Sequence, residues 1–132
     1  MSERKIKVNH STSTAHRLLY YDGACNNVHG HNMEWDVKIT VEMDEVGEDN
    51  MAIDFKKVSS LLDETDHAII LNEEDPLVEH ADILGSVITV SGDPTVEYMT
   101  EWMAEKFLEL EEVVSVTVSC AETDKYDIEY SA

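Results

Sequence analysis

The sequence is poor in positive charge. Among its 132 residues, Lys and Arg number 9 against 29 Asp and Glu, and the formal net charge is −20 at pH 7. Such a surface repels nucleic-acid backbones and anionic membranes, which excludes binding to either by charge alone. Because salt screens self-repulsion, we expect a protein from a salt-rich cytoplasm, with an acidic protein of an ordinary cytoplasm as the alternative.

Cysteines and long apolar runs are also scarce. The two cysteines, Cys25 and Cys120, are too few for a disulfide framework and fit a reducing compartment. No run approaches the roughly 20 apolar residues that span a bilayer, and the polar residues 1–5 lack the apolar stretch of a secretory signal. We therefore expect a cytoplasmic protein with no membrane or nucleic-acid partner.

The hydrophobic pattern predicts a single domain over residues 1–132. Hydrophobic residues make up 42% of the chain, enough for a core. Alternation predicts four strands, and helical spacing predicts one helix from Asp54 to near Thr65 and a second with Asp93 as N-cap and Pro94 in its first position. Cys120 continues the inward phase of a strand, which predicts a core position. The predicted strands lie at 5–8, 34–43, 114–120 and 126–130.

Two polar stretches, residues 11–32 and 72–82, are predicted to be loops. The element order predicts an α+β fold, with two helices covering one face of a four-stranded antiparallel sheet.

Histidines cluster in the first of these polar stretches. In extended backbone, His29 and His31 point to one side, and a hairpin would bring His16 alongside them. Three neutral imidazoles with an open fourth position are typical of a catalytic zinc site. Unrelated loop histidines, or a closed site with Cys25 as the fourth ligand, are alternatives that spacing does not separate. His10 and His80 have no such pattern of partners around them and are predicted to be solvated.

Six short motifs follow one another along nearly the whole chain. They are Thr14-Ala15-His16-Arg17-Leu18, Cys-x3-His-Gly-His-Asn at 25–32, Ile53-Asp54-Phe55, Asp66-His67, Pro94-Thr95-Val96-Glu97 and Glu122-Thr123. No single motif is specific, but the six in this order resemble the 6-pyruvoyl-tetrahydropterin synthase / 6-carboxytetrahydropterin synthase family.

The resemblance implies the tunnelling fold, with four strands and two helices in each subunit. It implies a homohexamer of two stacked trimers, with active sites between subunits. It also implies Zn²⁺ held by His16, His29 and His31, the same residues that the spacing brings together.

The resemblance further implies catalytic roles for three residues. Cys25 would be the proton-transfer residue, His67 a general acid/base, and Asp66 the carboxylate that orients His67. Adjacent strand residues point to opposite faces, so Asp66 and His67 need a turn or bulge to cooperate. The alternatives are a small buried cysteine, a surface aspartate and a half-buried histidine.

A carboxylate interrupts the last apolar positions of a predicted strand. Glu122 falls in the inward phase two residues after Cys120, and there it must find hydrogen-bond donors unless the strand ends first. A pterin ring offers such donors, and the resemblance makes Glu122 the pterin anchor. It implies further substrate contacts from Thr95 and Thr123, whose alternative roles are helix-start and loop hydroxyls.

The function implied is a zinc-dependent lyase that converts 7,8-dihydroneopterin triphosphate to 6-carboxy-5,6,7,8-tetrahydropterin, releasing triphosphate and acetaldehyde, in 7-deazaguanine synthesis. The alternatives are 6-pyruvoyl-tetrahydropterin synthase and a non-catalytic zinc- or pterin-binding module. The family usually has an aromatic residue at Thr12, Tyr at Met33 and a basic residue at Ala24, and these departures bear mainly on substrate identity.

Overall fold

The computed structural model describes residues 2–132. It contains six strands and three α-helices, with short 3-10 turns at Ala24–Asn26 and Pro76–His80. The strands are β1 (Glu3–His16), β2 (His29–Glu42), β3 (Ala68–Asn72), β4 (Val87–Val90), β5 (Val113–Thr123) and β6 (Tyr126–Ser131). The helices are α1 (Phe55–Asp63), α2 (Ala81–Leu84) and α3 (Val96–Leu108).

All six strands form one mixed sheet in the order β4-β3-β1-β2-β5-β6. The pairs β1–β2, β2–β5 and β5–β6 are antiparallel, whereas β3 pairs in parallel with both β1 and β4. The predicted α+β class is confirmed, but the four-stranded antiparallel sheet is wrong. The missed strands are short apolar runs without alternation, a pattern that a buried parallel strand shares with other buried segments.

The first two strands form one long hairpin. Its register pairs Glu3 with Glu42 and His16 with His29, so the loop predicted over 11–32 is wrong at both ends. The strand was hidden because hydroxyls occupy the inward positions at Thr12 and Thr14. Both are buried, and their hydroxyl oxygens lie 2.9 Å apart.

The long helices α1 and α3 pack on the same face of the sheet. Val58 and Leu62 of α1 and Met99, Met103 and Phe107 of α3 join one apolar core with the inward residues of β2 and β5. The four-residue α2 was not predicted and lies in the stretch between β3 and β4. Within residues 2–132, no helix has the length and apolar character needed to cross a membrane.

Both long helices begin with a side-chain cap. Asp54 accepts the Lys56 amide hydrogen at 2.9 Å, which confirms the predicted start of α1. The predicted start of α3 is wrong by two residues, because Thr95, and not Asp93, is its N-cap. The Thr95 hydroxyl accepts the Tyr98 amide hydrogen at 3.0 Å.

Candidate metal centre and active site

The hairpin brings three histidines to one end of the sheet. In the β1–β2 register His16 faces His29, and Thr14 faces His31. The ring centroid of His16 lies 4.6 Å from that of His29 and 5.5 Å from that of His31, and the last two are 5.0 Å apart. One ligand atom from each ring lies within 4.8 Å of the others. The predicted convergence of the three imidazoles is therefore observed.

Backbone carbonyls orient two of these rings. His16 Nδ1 donates to the carbonyl oxygen of Pro94, and His29 Nδ1 donates to that of Asn27, each at 2.7 Å. A carbonyl only accepts, so the proton sits on Nδ1 and the lone pair on Nε2. Burial lowers the pKa of His16 below its ordinary value, which favours the neutral imidazole that a metal requires.

The donor atoms of the cluster fit a divalent metal. The Nε2 atoms of His16 and His31 are buried and have no hydrogen-bond partner. Buried polar atoms are otherwise nearly always satisfied, so an ion that accepts their lone pairs accounts for them. Three imidazole nitrogens suit zinc and several other divalent metals. The cluster in residues 2–132 does not include Cys25.

Cys25 lies in the 3-10 turn between β1 and β2 and is half-buried. Its carbonyl oxygen accepts the Leu18 amide hydrogen at 3.0 Å. The neighbouring Asn26 side chain donates to the carbonyls of Leu18 and Leu19 at 3.2 and 3.1 Å. The turn is thus fastened to the segment that immediately follows β1.

Asp93, which was predicted to cap the second helix, binds the segment that follows β1. The Asp93 carboxylate accepts the amide hydrogens of Leu19 and Tyr20, each at 2.9 Å, and the Asn72 side-chain amide at 3.1 Å. Asp93 therefore bridges the segment before Cys25 to the end of β3. The Asp-Pro pair resembles a helix start, and nothing local in the sequence distinguishes the two roles.

Asp66 and His67 form a pair on an exposed face. Asp66 Oδ2 lies 3.0 Å from His67 Nδ1, and its Oδ1 accepts the Ser13 amide hydrogen at 2.8 Å. These hydrogen bonds, from Ser13 first and His67 second, lower the pKa of Asp66. The turn that the pair requires is present, since His67 has φ 57°.

The pair lies apart from the cysteine within one chain. His67 is 80% exposed at its side chain, so the half-buried alternative is wrong for it. His67 and His31 line the same open cavity of about 520 Å³. In residues 2–132, no hydrogen bond or ion pair joins the Asp66–His67 pair to Cys25.

A bulge directs Glu122 toward the histidines. The β5–β6 register shifts between Ala121 and Thr123, which leaves Glu122 as the extra residue. Its Oε1 lies 3.1 Å from His16 Nε2 and 3.5 Å from His31 Nε2. The strand does not end at Cys120, and the Glu122 side chain is 28% exposed, so the fully exposed alternative is wrong.

Glu122 and Thr123 also line an open cavity of about 740 Å³ beside the β5–β6 turn. Asn32 and Glu34 of β2 also line this cavity. Thr123 is exposed, and its hydroxyl accepts the Lys125 amide hydrogen at 3.3 Å. Thr95 does not line this cavity and acts as the N-cap of α3.

The remaining histidines and the second thiol lie outside the cluster. His10, predicted to be solvated, is half-buried, and its Nε2 lies 2.6 Å from Asp63 Oδ1 of α1. His80 is exposed, as predicted. Cys120 is fully buried, as predicted, and burial raises the pKa of its thiol to about 12.

Comparison with known proteins decides the family. The sequence profile of the family described as "6-pyruvoyl tetrahydropterin synthase" matches residues 5–132. The chain belongs to this family. The resemblance carried by the short motifs is thereby confirmed.

Relatives within the family bear two names. A Halobacterium salinarum protein named "Probable 6-carboxy-5,6,7,8-tetrahydropterin synthase" is 34% identical over 126 residues, covering 92% of this chain and 79% of that protein. A Haemophilus influenzae 6-carboxy-5,6,7,8-tetrahydropterin synthase is 36% identical over 75 residues, covering 52% of this chain and 53% of that protein. The structure of Caenorhabditis elegans 6-pyruvoyl tetrahydropterin synthase has a TM-score of 0.64 and 26% identity, covering 100% of this chain and 97% of that one.

Proposed function

We propose that this chain is a zinc-dependent 6-carboxy-5,6,7,8-tetrahydropterin synthase. The substrates are 7,8-dihydroneopterin triphosphate and water, and the products are 6-carboxy-5,6,7,8-tetrahydropterin, triphosphate and acetaldehyde, in the synthesis of 7-deazaguanine bases. The observation that carries the proposal is the convergence of His16, His29 and His31 with buried, unpartnered Nε2 atoms on two of them. The names of the relatives support this branch of the family.

The histidines supply the proposed metal site. His16 and His29 present Nε2 because carbonyl oxygens hold their Nδ1 hydrogens, and His31 completes the set. A Zn²⁺ ion held by these three histidines would polarise the hydroxyl groups of the pterin side chain. The orientation of the rings before binding lowers the cost of assembling the site.

Cys25 and His67 carry the proton transfers in the proposal. A thiolate can accept a proton, and an imidazole nitrogen can accept or donate one. Asp66 holds the His67 ring through the 3.0 Å contact to Nδ1, which leaves Nε2 directed away from the carboxylate. This contact is the one that an orienting carboxylate makes.

Recognition of the pterin falls to Glu122 and Thr123 in the proposal. A carboxylate meets the ring N–H and the exocyclic amine of a pterin side by side, as it meets other paired donors. The 740 Å³ cavity that both residues line is large enough for a drug-sized ligand. Thr95, which caps α3, is the weakest of the proposed substrate contacts because it does not line this cavity.

Assembly into a homohexamer of two trimers is part of the proposal. Within one chain the Asp66–His67 pair is exposed and not joined to Cys25, which is expected if the pair completes the site of a neighbouring copy. Light scattering is expected to give about six times the 14.9 kDa chain mass. A monomer that turns over substrate at full rate would contradict this assembly.

Product identification tests the reaction. The purified protein, loaded with Zn²⁺, is incubated with 7,8-dihydroneopterin triphosphate, and the pterin product is identified by mass with acetaldehyde measured in parallel. We expect 6-carboxytetrahydropterin and acetaldehyde in equal amounts. Absence of turnover at both low and high salt would contradict the proposal and favour a non-catalytic binding module.

A second candidate is 6-pyruvoyl-tetrahydropterin synthase. The 26% identity to the C. elegans protein of that name favours it. The same histidines and proton-transfer residues serve triphosphate elimination without carbon–carbon cleavage. A 6-pyruvoyl product without acetaldehyde in the same assay identifies this candidate.

A further inference from the structure

Glu122 makes a contact that a pterin anchor does not need. Its Oε1 lies 3.1 Å from Nε2 of His16 and 3.5 Å from Nε2 of His31. Both nitrogens are buried, and neither forms a hydrogen bond with the carboxylate or with any other described group. The close approach is therefore not an ordinary His–Glu hydrogen bond.

The tautomer of His16 makes this approach unfavourable by itself. Its Nδ1 hydrogen goes to the Pro94 carbonyl, so a lone pair on Nε2 faces the negative oxygen of Glu122. Two acceptors at 3.1 Å repel each other unless a positive centre lies between them. A divalent ion shared by the imidazoles and the carboxylate supplies that centre.

The two Glu122 distances are close to those between neighbouring ligands of one tetrahedral ion. Bonds of about 2.0–2.2 Å to nitrogen and oxygen place neighbouring ligand atoms of a tetrahedron about 3.3–3.6 Å apart. The Glu122 contact at 3.5 Å lies inside that range, and the contact at 3.1 Å lies just below it. The Glu122 oxygen therefore stands where a fourth ligand would, beside two of the three histidines.

The bulge places Glu122 between the cavity beside Thr123 and the histidine cluster. It lines the cavity next to Thr123 and also reaches the histidines, so a single carboxylate stands between the metal site and the proposed pterin site. A substrate whose hydroxyls take the open metal position must displace a carboxylate bound there. Once displaced, the same carboxylate is free to accept hydrogens from the pterin ring.

We propose that Glu122 is the fourth metal ligand of the substrate-free protein and is displaced from the metal when the pterin binds. This inference rests on the proposed function, because it requires a metal on the three histidines. With Glu122 as a ligand, the metal has no open coordination position until the substrate displaces the carboxylate.

Cobalt binding to the metal-free full-length protein tests the inference. Co²⁺ is titrated into the wild type, Glu122→Gln and Glu34→Gln, and its visible absorption gives affinity and coordination together. Glu34 is the matched control, because it is an acidic residue of the same cavity and its loss changes the net charge equally. We expect Glu122→Gln to weaken Co²⁺ binding at least about tenfold and to alter the absorption bands, and Glu34→Gln to change the affinity less than about twofold.

The outcomes separate the inference from the proposed function. Equal affinity and spectra for the wild type and Glu122→Gln would overturn the fourth-ligand assignment and leave the three-histidine site standing. Failure of the wild type to bind Co²⁺ would overturn the metal site and with it the inference. If Glu122→Gln does not fold, the titration is made on Glu122→Asp, whose carboxylate is one methylene shorter, and an affinity within about twofold of the wild type then overturns the inference.

Discussion

The imidazole of His16 donates its Nδ1 hydrogen to the carbonyl oxygen of Pro94 at 2.7 Å, across 78 residues of sequence. This bond ties the end of β1 to the turn before α3. Because it fixes the proton on Nδ1, it directs the Nε2 lone pair toward His29, His31 and Glu122. The chemistry proposed for the site depends on that orientation.

Replacement of Cys25 tests its role in proton transfer. Cys25→Ala is expected to lower kcat by about 10²–10⁴-fold, the range for loss of a positioned acid or base, with the Zn²⁺ content unchanged. Cys120→Ala is the control, since Cys120 is a fully buried core residue on β5. Steady-state kinetics on zinc-loaded protein measure the effect. Full turnover by Cys25→Ala would remove this residue from the mechanism.

The two thiols are expected to differ in their reactivity toward an alkylating agent. Burial first, and the charges of Glu122 and Glu34 next, raise the pKa of Cys120 to about 12. In the unfolded chain this thiol ionises near its ordinary pKa of 9.0, so its contribution to stability is present below that pH and is lost as the pH rises toward 12. Iodoacetamide at pH 9 should therefore modify Cys25 alone in the native, metal-free protein and both thiols in urea. Equal labelling of the two native thiols would show that Cys120 is accessible.

A buried hydroxyl stands where the family usually carries an aromatic ring. The Thr12 hydroxyl accepts the indole hydrogen of Trp35 at 2.9 Å, and both side chains are buried. Thr12→Val keeps the shape but leaves the indole N–H unpaired, which is expected to lower the free energy of unfolding by about 1–3 kcal/mol. Urea denaturation measures this free energy. Thr89→Val, at an exposed position of β4, is the control and is expected to change it by less than about 0.5 kcal/mol. Equal losses of unfolding free energy in Thr12→Val and Thr89→Val would mean that the Thr12–Trp35 hydrogen bond does not stabilise the fold.

Sequence periodicity was enough to predict the amphipathic elements and not the rest. The strand over 34–43 and the Asp54-capped α1 were predicted because one face of each is apolar. The last residues of β1 were not predicted as strand because Thr12 and Thr14 place hydroxyls in the core. The parallel strands β3 and β4 were missed because short apolar runs have no diagnostic period.

The candidate site was predictable in part from spacing. His29 and His31 alternate on one strand, and a hairpin was the expected way to add His16. The bulge that directs Glu122 toward the histidines depends on the β5–β6 register, which no local pattern encodes. The use of Asp93 to hold the Leu19 and Tyr20 amides depends equally on tertiary contact.

Metal content tests the central claim most directly. Elemental analysis of the purified protein by plasma mass spectrometry is expected to give about one zinc per chain, because the three histidines form one site. His29→Ala should lose that zinc, whereas His80→Ala, which changes an exposed histidine outside the cluster, should retain it. Zinc retained in full by a folded His29→Ala variant, or no metal bound by the wild type after incubation with Zn²⁺, would contradict the account.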